Sequence, residues 1–159
     1  MAITMNVEVS YGQFAVFASS LTDPFNDWTD RHVAQGFAWR PGSVSFRTIV
    51  EGAQHSVDVE VVDALIPLHP EAVRVFEVPF EVPSDGAIEI GSVGETVLIT
   101  LAPELYLLRC EFLTPTANGV GRVRLVFARR ESARFAVVRA DPAICAEGEL
   151  LTTAEAARP

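Results

Sequence analysis

The stretch SVDVEVV, residues 56–62, decides the fold class of this chain. Val57, Val59 and Val61 alternate with Asp58 and Glu60, so an extended backbone would place these three valines on one face and the carboxylates on the other. This period of two is typical of a half-buried β-strand with one face toward water. The rest of the chain therefore has to be searched for strands of the same kind.

Similar runs rich in β-branched and aromatic residues recur along the chain. They cover residues 6–19, 43–50, 77–82, 87–90, 96–101, 106–113, 122–127 and 134–138. Glycine-containing pairs suited to tight turns lie between several of them, at 41–42, 85–86 and 118–119. Pro79 lies inside one run, and because proline donates no backbone hydrogen bond we expect that strand to be an edge or to be bulged. The pattern predicts an all-β fold, an antiparallel β-sandwich of about eight to ten short strands.

The length of 159 residues fits one domain with a core large enough to need no disulfide or metal. No linker, repeat or low-complexity segment divides the chain. We therefore predict a single β-sandwich domain over residues 1–159. Residues 141–159 fall outside the strand pattern, and we expect them to form a loose C-terminal tail that frays or adds a helical turn.

One short helix is predicted, near residues 29–35, within the stretch NDWTDRHVAQGFAW at residues 26–39. Thr29 is a good N-cap because its hydroxyl can accept from a free backbone amide, and Asp30 favours the positive end of the helix dipole. Gly36 stands where a short helix ends in a left-handed residue. Trp28 precedes the cap, from where an apolar side chain packs on the fourth helical residue, Val33, as a hydrophobic staple.

The same tryptophan also fits a binding surface. Trp28 is flanked by Asp23, Asp27 and Asp30, and an aromatic residue ringed by charge is typical of an interface anchor. Together with Trp39, these residues are the predicted partner-binding site. The structural and the functional interpretation of Trp28 both remain open at this level.

Charge limits the choice of partner. The net charge is −9, and all twelve basic residues are arginine. Such a surface repels phosphate backbones, so we predict no direct binding of nucleic acid and instead a basic protein partner.

The chain has no apolar run of the ~20 residues that a membrane span needs, no export signal, and only two well-separated cysteines. These features predict a cytoplasmic protein.

Catalytic motifs are missing from the sequence. His32, His55 and His69 do not have metal-ligand spacing, and neither a GxSxG elbow nor a Walker lysine occurs. Carboxylates such as Glu60 and Glu77 lie in strand patterns, and we interpret them as solvated strand faces rather than glycosidase pairs. We therefore predict a protein that is not an enzyme and that has no metal and no cofactor.

Seven short stretches follow one another in an informative order. They are SYGQFAVF (10–17), DWTD (27–30), QGFA (35–38), GSVSF (42–46), VPFEV (78–82), GAIEI (86–90) and LYLLRCE (105–111). In this order they resemble the competence protein J family, small acidic proteins that include the inhibitor of the DNA-entry nuclease. The resemblance covers roughly residues 9–112, and the part of the chain from Asn118 onward matches less well.

The resemblance implies an inhibitor or immunity-type protein that binds and occludes a basic nuclease or toxin, in DNA uptake or in a related setting. It supplies no map of the inhibitory residues, and the sequence does not set the oligomeric state. The alternative is a small-molecule or carbohydrate-binding β-sandwich that uses Phe25, Trp28 and Trp39 as stacking platforms. A catalytic β-protein is a third possibility, but it needs a histidine–carboxylate site that the sequence lacks.

Overall fold

The computed structural model describes residues 2–158. Its elements in chain order are β1 (Ala2–Val9), β2 (Gln13–Ala18), α1 (Asp30–Gln35), β3 (Phe37–Arg40), β4 (Ser43–Arg47), β5 (Ala53–Val62), β6 (Ala72–Glu81), β7 (Ala87–Ser92), β8 (Glu95–Thr100), β9 (Leu105–Leu113), β10 (Gly121–Ala128) and β11 (Ala136–Arg139). The prediction of an all-β fold with one short helix is confirmed. Within residues 2–158 the strands number eleven rather than eight to ten. The run 6–19 is two strands, broken where Tyr11 and Gly12 both take positive φ, and the four-residue strand β3 was not predicted.

The strands form two sheets. A six-stranded sheet has the order β1-β5-β10-β9-β6-β11, and a five-stranded sheet has the order β3-β4-β2-β7-β8. The antiparallel prediction holds for the strand pairs of both sheets except β5 and β10, which run parallel with Val57 opposite Val123. This exception arises because the hairpin after β9 inserts β10 between β9 and β5.

The two sheets meet in an aromatic and aliphatic core. Val57 and Val59 are fully buried while Asp58 between them is exposed, as the alternation in residues 56–62 predicts. From the five-stranded sheet, Phe46 stacks on Phe76 of the six-stranded sheet with ring centroids 5.7 Å apart. Removal of this apolar surface from water is the main force that holds the sandwich together.

The outer face of the six-stranded sheet buries charges beneath the loop between β5 and β6. Arg109 donates from Nε to Glu77 at 3.1 Å, and Arg124 donates from Nε to Glu111 at 2.7 Å. The loop supplies further acceptors, since the carbonyl of Ile66 binds Arg109. Glu77 was expected on a solvated face; that expectation is wrong because the arginines of neighbouring strands and the covering loop enclose it.

Pro79 lies where β6 is an edge, as predicted. Strand β11 pairs only with Val75 to Glu77 of β6, so Pro79 has no strand partner on that side. Its carbonyl instead accepts the indole N–H of Trp39 at 2.7 Å.

Residues 141–157, called the C-terminal segment below, are packed against the sandwich rather than loose. Gln35 donates from Nε2 to the carbonyl of Leu151 at 2.8 Å, and its Oε1 accepts from the amide of Leu151 at 2.9 Å. The carbonyl of Phe25 accepts from the amide of Ala157 at 2.8 Å, and Ile144 is buried in the core. These hydrogen bonds join the C-terminal segment to residues more than a hundred positions away in sequence. No helix in the described part of the chain is long and apolar enough to cross a membrane.

Candidate functional site

The predicted helix forms, with the predicted ends. The hydroxyl of Thr29 accepts from the amide of His32 at 3.4 Å, and Nδ1 of His32 accepts from the amide of Thr29 at 3.0 Å. Because Nδ1 is an acceptor, the neutral ring carries its proton on Nε2, which donates to the carbonyl of Thr153 at 2.9 Å. Gly36 ends the helix with φ 95°, a left-handed conformation that suits glycine. His32 thus joins the start of α1 to the C-terminal segment.

Trp28 is half-buried at the start of this helix. Its indole Nε1 donates to Oε1 of Gln13 on β2 at 3.3 Å, and its ring meets that of His32 edge-on at 6.4 Å. These contacts hold the turn to the five-stranded sheet. Val33, the expected staple partner, is 41% exposed and lines an open cavity together with Trp28. The remaining face of Trp28 is therefore available to a ligand or partner.

The structure brings three of the predicted site residues together. Asp27 and Asp30 are exposed on either side of Trp28. Asp23 lies earlier in the same loop and is partly exposed, and its carbonyl accepts from Arg40. One continuous turn thus contains Asp27, Trp28 and Asp30, and it exposes the two carboxylates. Asp23 lies four residues before Asp27.

The C-terminal segment adds carboxylates that the sequence did not place at this site. Arg31 on α1 donates from Nη2 to the carbonyls of Glu147 and Glu149, both at 3.0 Å. The amide of Asp27 donates to the carbonyl of Glu155 at 2.8 Å. The side chains of these glutamates are exposed. We call the resulting group the acidic surface; it consists of Asp27, Asp30, Glu147, Glu149 and Glu155.

Trp39 does not belong to the acidic surface. It lies on β3, where its ring meets Phe135 edge-on at 5.0 Å and its indole N–H binds the carbonyl of Pro79. Phe25 packs separately on Phe17, with ring centroids 5.4 Å apart. The aromatic residues that could have stacked on a carbohydrate are thus in different places and do not form one platform.

A cavity of about 360 Å³ opens beside Trp28 and is called the Trp28 cavity below. Tyr11 and Trp28 are its aromatic residues, and Val33 lies at its edge. Two arginines line it as well, Arg47 from β4 and Arg74 from β6. Tyr11 is 83% exposed and has φ 57°, so the hairpin after β1 holds an aromatic side chain out beside the opening.

His55 and Cys110, which both have a shifted pKa, are not among the residues that line the Trp28 cavity. Burial lowers the pKa of His55, although the nearby carbonyl of Ala53 and the carboxylate of Glu8 act in the other direction. Burial also raises the pKa of the Cys110 thiol well above its usual range, which disfavours the reactive thiolate. Within residues 2–158, no group of three or more histidine, cysteine or carboxylate side chains could hold a metal ion.

Comparison with known proteins identifies the family. The sequence model of competence protein J (ComJ) matches residues 6–128, more than three-quarters of the chain. The chain belongs to the competence protein J family. The resemblance seen in the sequence is thereby confirmed, and the ComJ match includes Asp27, Trp28 and Asp30. It ends before the C-terminal segment, so the three glutamates of the acidic surface lie outside it.

Two further comparisons each find a Bacillus subtilis protein that is similar to this chain. The DNA-entry nuclease inhibitor of Bacillus subtilis (strain 168) is 42% identical over 40 residues, which cover 25% of this chain and 30% of that protein. The aligned part is thus less than a third of the relative's length. The crystal structure of ComJ, inhibitor of the DNA degrading activity of NucA, from Bacillus subtilis superposes with a TM-score of 0.69 at 22% identity. That match covers 80% of this chain and 95% of the ComJ chain, and it shows that the two share the fold.

Proposed function

We propose that this chain is a non-enzymatic inhibitor that binds a nuclease and keeps DNA out of its active site. The observation that supports this most strongly is the acidic surface, formed around Trp28 on a fold of the competence protein J family. The protein found by each of the two comparisons described above is named as a nuclease inhibitor. The setting would be DNA uptake in competent cells or a related form of immunity.

The proposed mechanism is occlusion by charge mimicry. A nuclease that grips DNA presents a basic groove to the phosphate backbone. Carboxylates held on a rigid fold can occupy that groove in place of phosphates, and they also steer the two proteins together. Blocking the groove requires no chemical step by the inhibitor.

The proposed contact residues are Asp27, Trp28 and Asp30, with Asp23 at the periphery. Trp28 would be the apolar anchor, since aromatic residues enclosed by polar groups often dominate binding energy. We omit Trp39 because its indole N–H and its ring are both occupied inside the protein. Glu147, Glu149 and Glu155 would extend the surface beyond the part that matches the family.

A single titration tests the proposal. Purified protein is added to a non-specific nuclease encoded beside this gene, and DNA degradation is followed at low and at high salt. We expect stoichiometric inhibition at low salt and weaker inhibition at high salt. At 0.1 M salt, the attraction between exposed charges more than about 10 Å apart is largely screened. The absence of both complex and inhibition at every salt concentration would contradict the proposal for that nuclease.

A further inference from the structure

We propose that the Trp28 cavity is a binding site for a carboxylate attached to an apolar body, such as an aromatic carboxylic acid. This inference does not depend on the proposed inhibition, because it follows from the lining of the cavity alone. The surrounding surface is acidic. A preference of this cavity for an anion must therefore come from the residues that line it and not from the net charge of the protein.

The polar lining is rich in hydrogen-bond donors. The side chain of Arg47 makes two hydrogen bonds within residues 2–158, both from Nη1, to the carbonyls of Val33 and Ala143 at 3.1 and 3.0 Å. Its Nε and Nη2 have no hydrogen-bond acceptor within the described residues, so they can donate to a ligand. The side-chain amide of Gln13 uses its oxygen to accept from Trp28, which leaves its NH₂ group as a donor. Donors of this kind select a ligand that ends in an acceptor.

The balance of charge also favours an anion. No carboxylate of the described residues lies within 4.0 Å of Arg47, so Arg47 lines the cavity as a cation without a counter-ion. Arg74 is 3% exposed and is paired with Asp141, yet its Nε has no hydrogen-bond partner within residues 2–158. Glu51 also lines the cavity, but it is exposed to water, which weakens its repulsion of an anion.

The apolar lining accounts for the second part of the ligand. Trp28 and Tyr11 present ring surface, and Val33 and Ile49 present aliphatic surface. The volume of about 360 Å³ lies within the ~300–1,000 Å³ typical of small-molecule sites. A ring with a short carboxylate arm would bury its body against these residues and direct its oxygens toward Arg47 and Gln13.

Nuclear magnetic resonance of the unmodified protein tests this, with phenylacetate as the probe. The chain has two tryptophans, and only the indole N–H of Trp28 faces Gln13 at the cavity, while that of Trp39 is bound to Pro79. We expect the Trp28 indole signal to shift saturably during the titration and the Trp39 signal to stay in place. Benzyl alcohol should bind about tenfold more weakly because it lacks the charge-assisted hydrogen bond, and phenethylamine should not bind.

Variants assign the effect to the named residues. Arg47→Met should weaken phenylacetate binding about tenfold, whereas Arg130→Met, at an exposed arginine elsewhere, should have no effect. Val33→Phe should abolish binding by filling the cavity; Val138→Phe is its control, since Val33 and Val138 are 41% and 42% exposed. Glu51→Gln should strengthen binding by removing the opposing charge. Melting curves confirm that each variant is folded.

The outcome identifies the source of the carboxylate as well. If Arg47→Met also weakens nuclease inhibition, the cavity receives a carboxylate side chain of the nuclease; if Arg47→Met inhibits the nuclease as the native protein does, the ligand is a free acid. Equal shifts at both tryptophans, equal binding of all three probes, or unaltered binding to Arg47→Met would each overturn the inference.

Discussion

The carboxylate of Asp141 binds one nitrogen of Arg74 through both of its oxygens, with Nη2 3.0 Å from Oδ1 and 2.9 Å from Oδ2. Arg74 is 3% exposed, so this pair ties the first residue of the C-terminal segment to the interior of the six-stranded sheet. The other amino group, Nη1, donates to the carbonyls of Arg47 and Thr48 at 2.8 and 3.0 Å. One buried side chain therefore holds together β6, the end of β4 and the C-terminal segment.

Asp141→Asn should release the C-terminal segment, because it leaves a buried arginine without its counter-ion. We expect the free energy of unfolding to fall by about 2 kcal/mol, less than for a fully enclosed pair since the Asp141 side chain is 19% exposed. Hydrogen exchange at the amides of Cys145 and Leu151 should accelerate. Asp63→Asn, at an exposed aspartate, is the control and should change neither quantity.

Gly36→Ala should be much more destabilising than Gly119→Ala. Both glycines have positive φ, 95° and 81°, so both substitutions incur the cost of a left-handed backbone, roughly 1–2 kcal/mol. At Gly36 a Cβ would also fall 2.8 Å from Cε1 of Phe76, in the core, whereas at Gly119 nothing lies within 4 Å. We expect a loss of about 3 kcal/mol or more for Gly36→Ala by urea unfolding. Equal losses for the two variants would contradict the packing of α1 on Phe76.

His55 should make the protein less stable as the pH falls. Burial lowers its pKa below the ordinary value of 6.5, so in acid the unfolded chain binds a proton more readily than the folded one. Stability from this group is complete above pH 6.5 and declines as the pH falls below it. His55→Gln should remove up to about 1.4 kcal/mol per pH unit from the dependence of unfolding free energy on pH just below 6.5. An unchanged slope in the variant would rule out this role.

The two cysteines should differ in reactivity. Cys110 is buried and its thiol pKa is raised, while Cys145 is exposed. Mass spectrometry after N-ethylmaleimide treatment at pH 7 should show one modified thiol in the native protein and two after unfolding. Cys145→Ser should leave the native protein unmodified; rapid modification of that variant would show that the core around Cys110 opens.

The sequence predicted the features that depend on local chemistry. The alternation around Asp58, the cap at Thr29 and the left-handed Gly36 each need only neighbouring residues, and all are present. The edge position of Pro79 followed from its missing amide hydrogen. The parallel pairing of β5 with β10 could not be predicted, since sheet order depends on contacts that are distant in sequence.

The candidate site was predictable only in part, because some of its residues are brought together by contacts that are distant in sequence. Asp27, Trp28 and Asp30 are neighbours in sequence and remain neighbours in the structure. Trp39 was grouped with them because it is close in the chain, yet the turn at Gly36 directs β3 toward Pro79. The glutamates of the C-terminal segment were missed because hydrogen bonds to Arg31 and Asp27, and no pattern in their own sequence, place them at the site.

The C-terminal glutamates should contribute to association with the nuclease. Glu147→Gln, Glu149→Gln and Glu155→Gln together should slow association at low salt and have little effect at high salt, because exposed charges act mainly on the rate of encounter. Stopped-flow measurements of binding test this. An association rate equal to that of the native protein at low salt would limit the interface to the part of the chain that matches the family.

The most direct test of the central claim compares two pairs of charge-removing substitutions in the nuclease inhibition assay. Asp27→Asn with Asp30→Asn changes the turn around Trp28, and Asp63→Asn with Glu81→Gln removes the same charge from exposed positions elsewhere. We predict that the first pair raises the inhibitor concentration needed for half-inhibition at low salt by about fivefold or more, while the second stays within about twofold. Equal effects of the two pairs, or none from the first, would show that the nuclease binds another face of the protein.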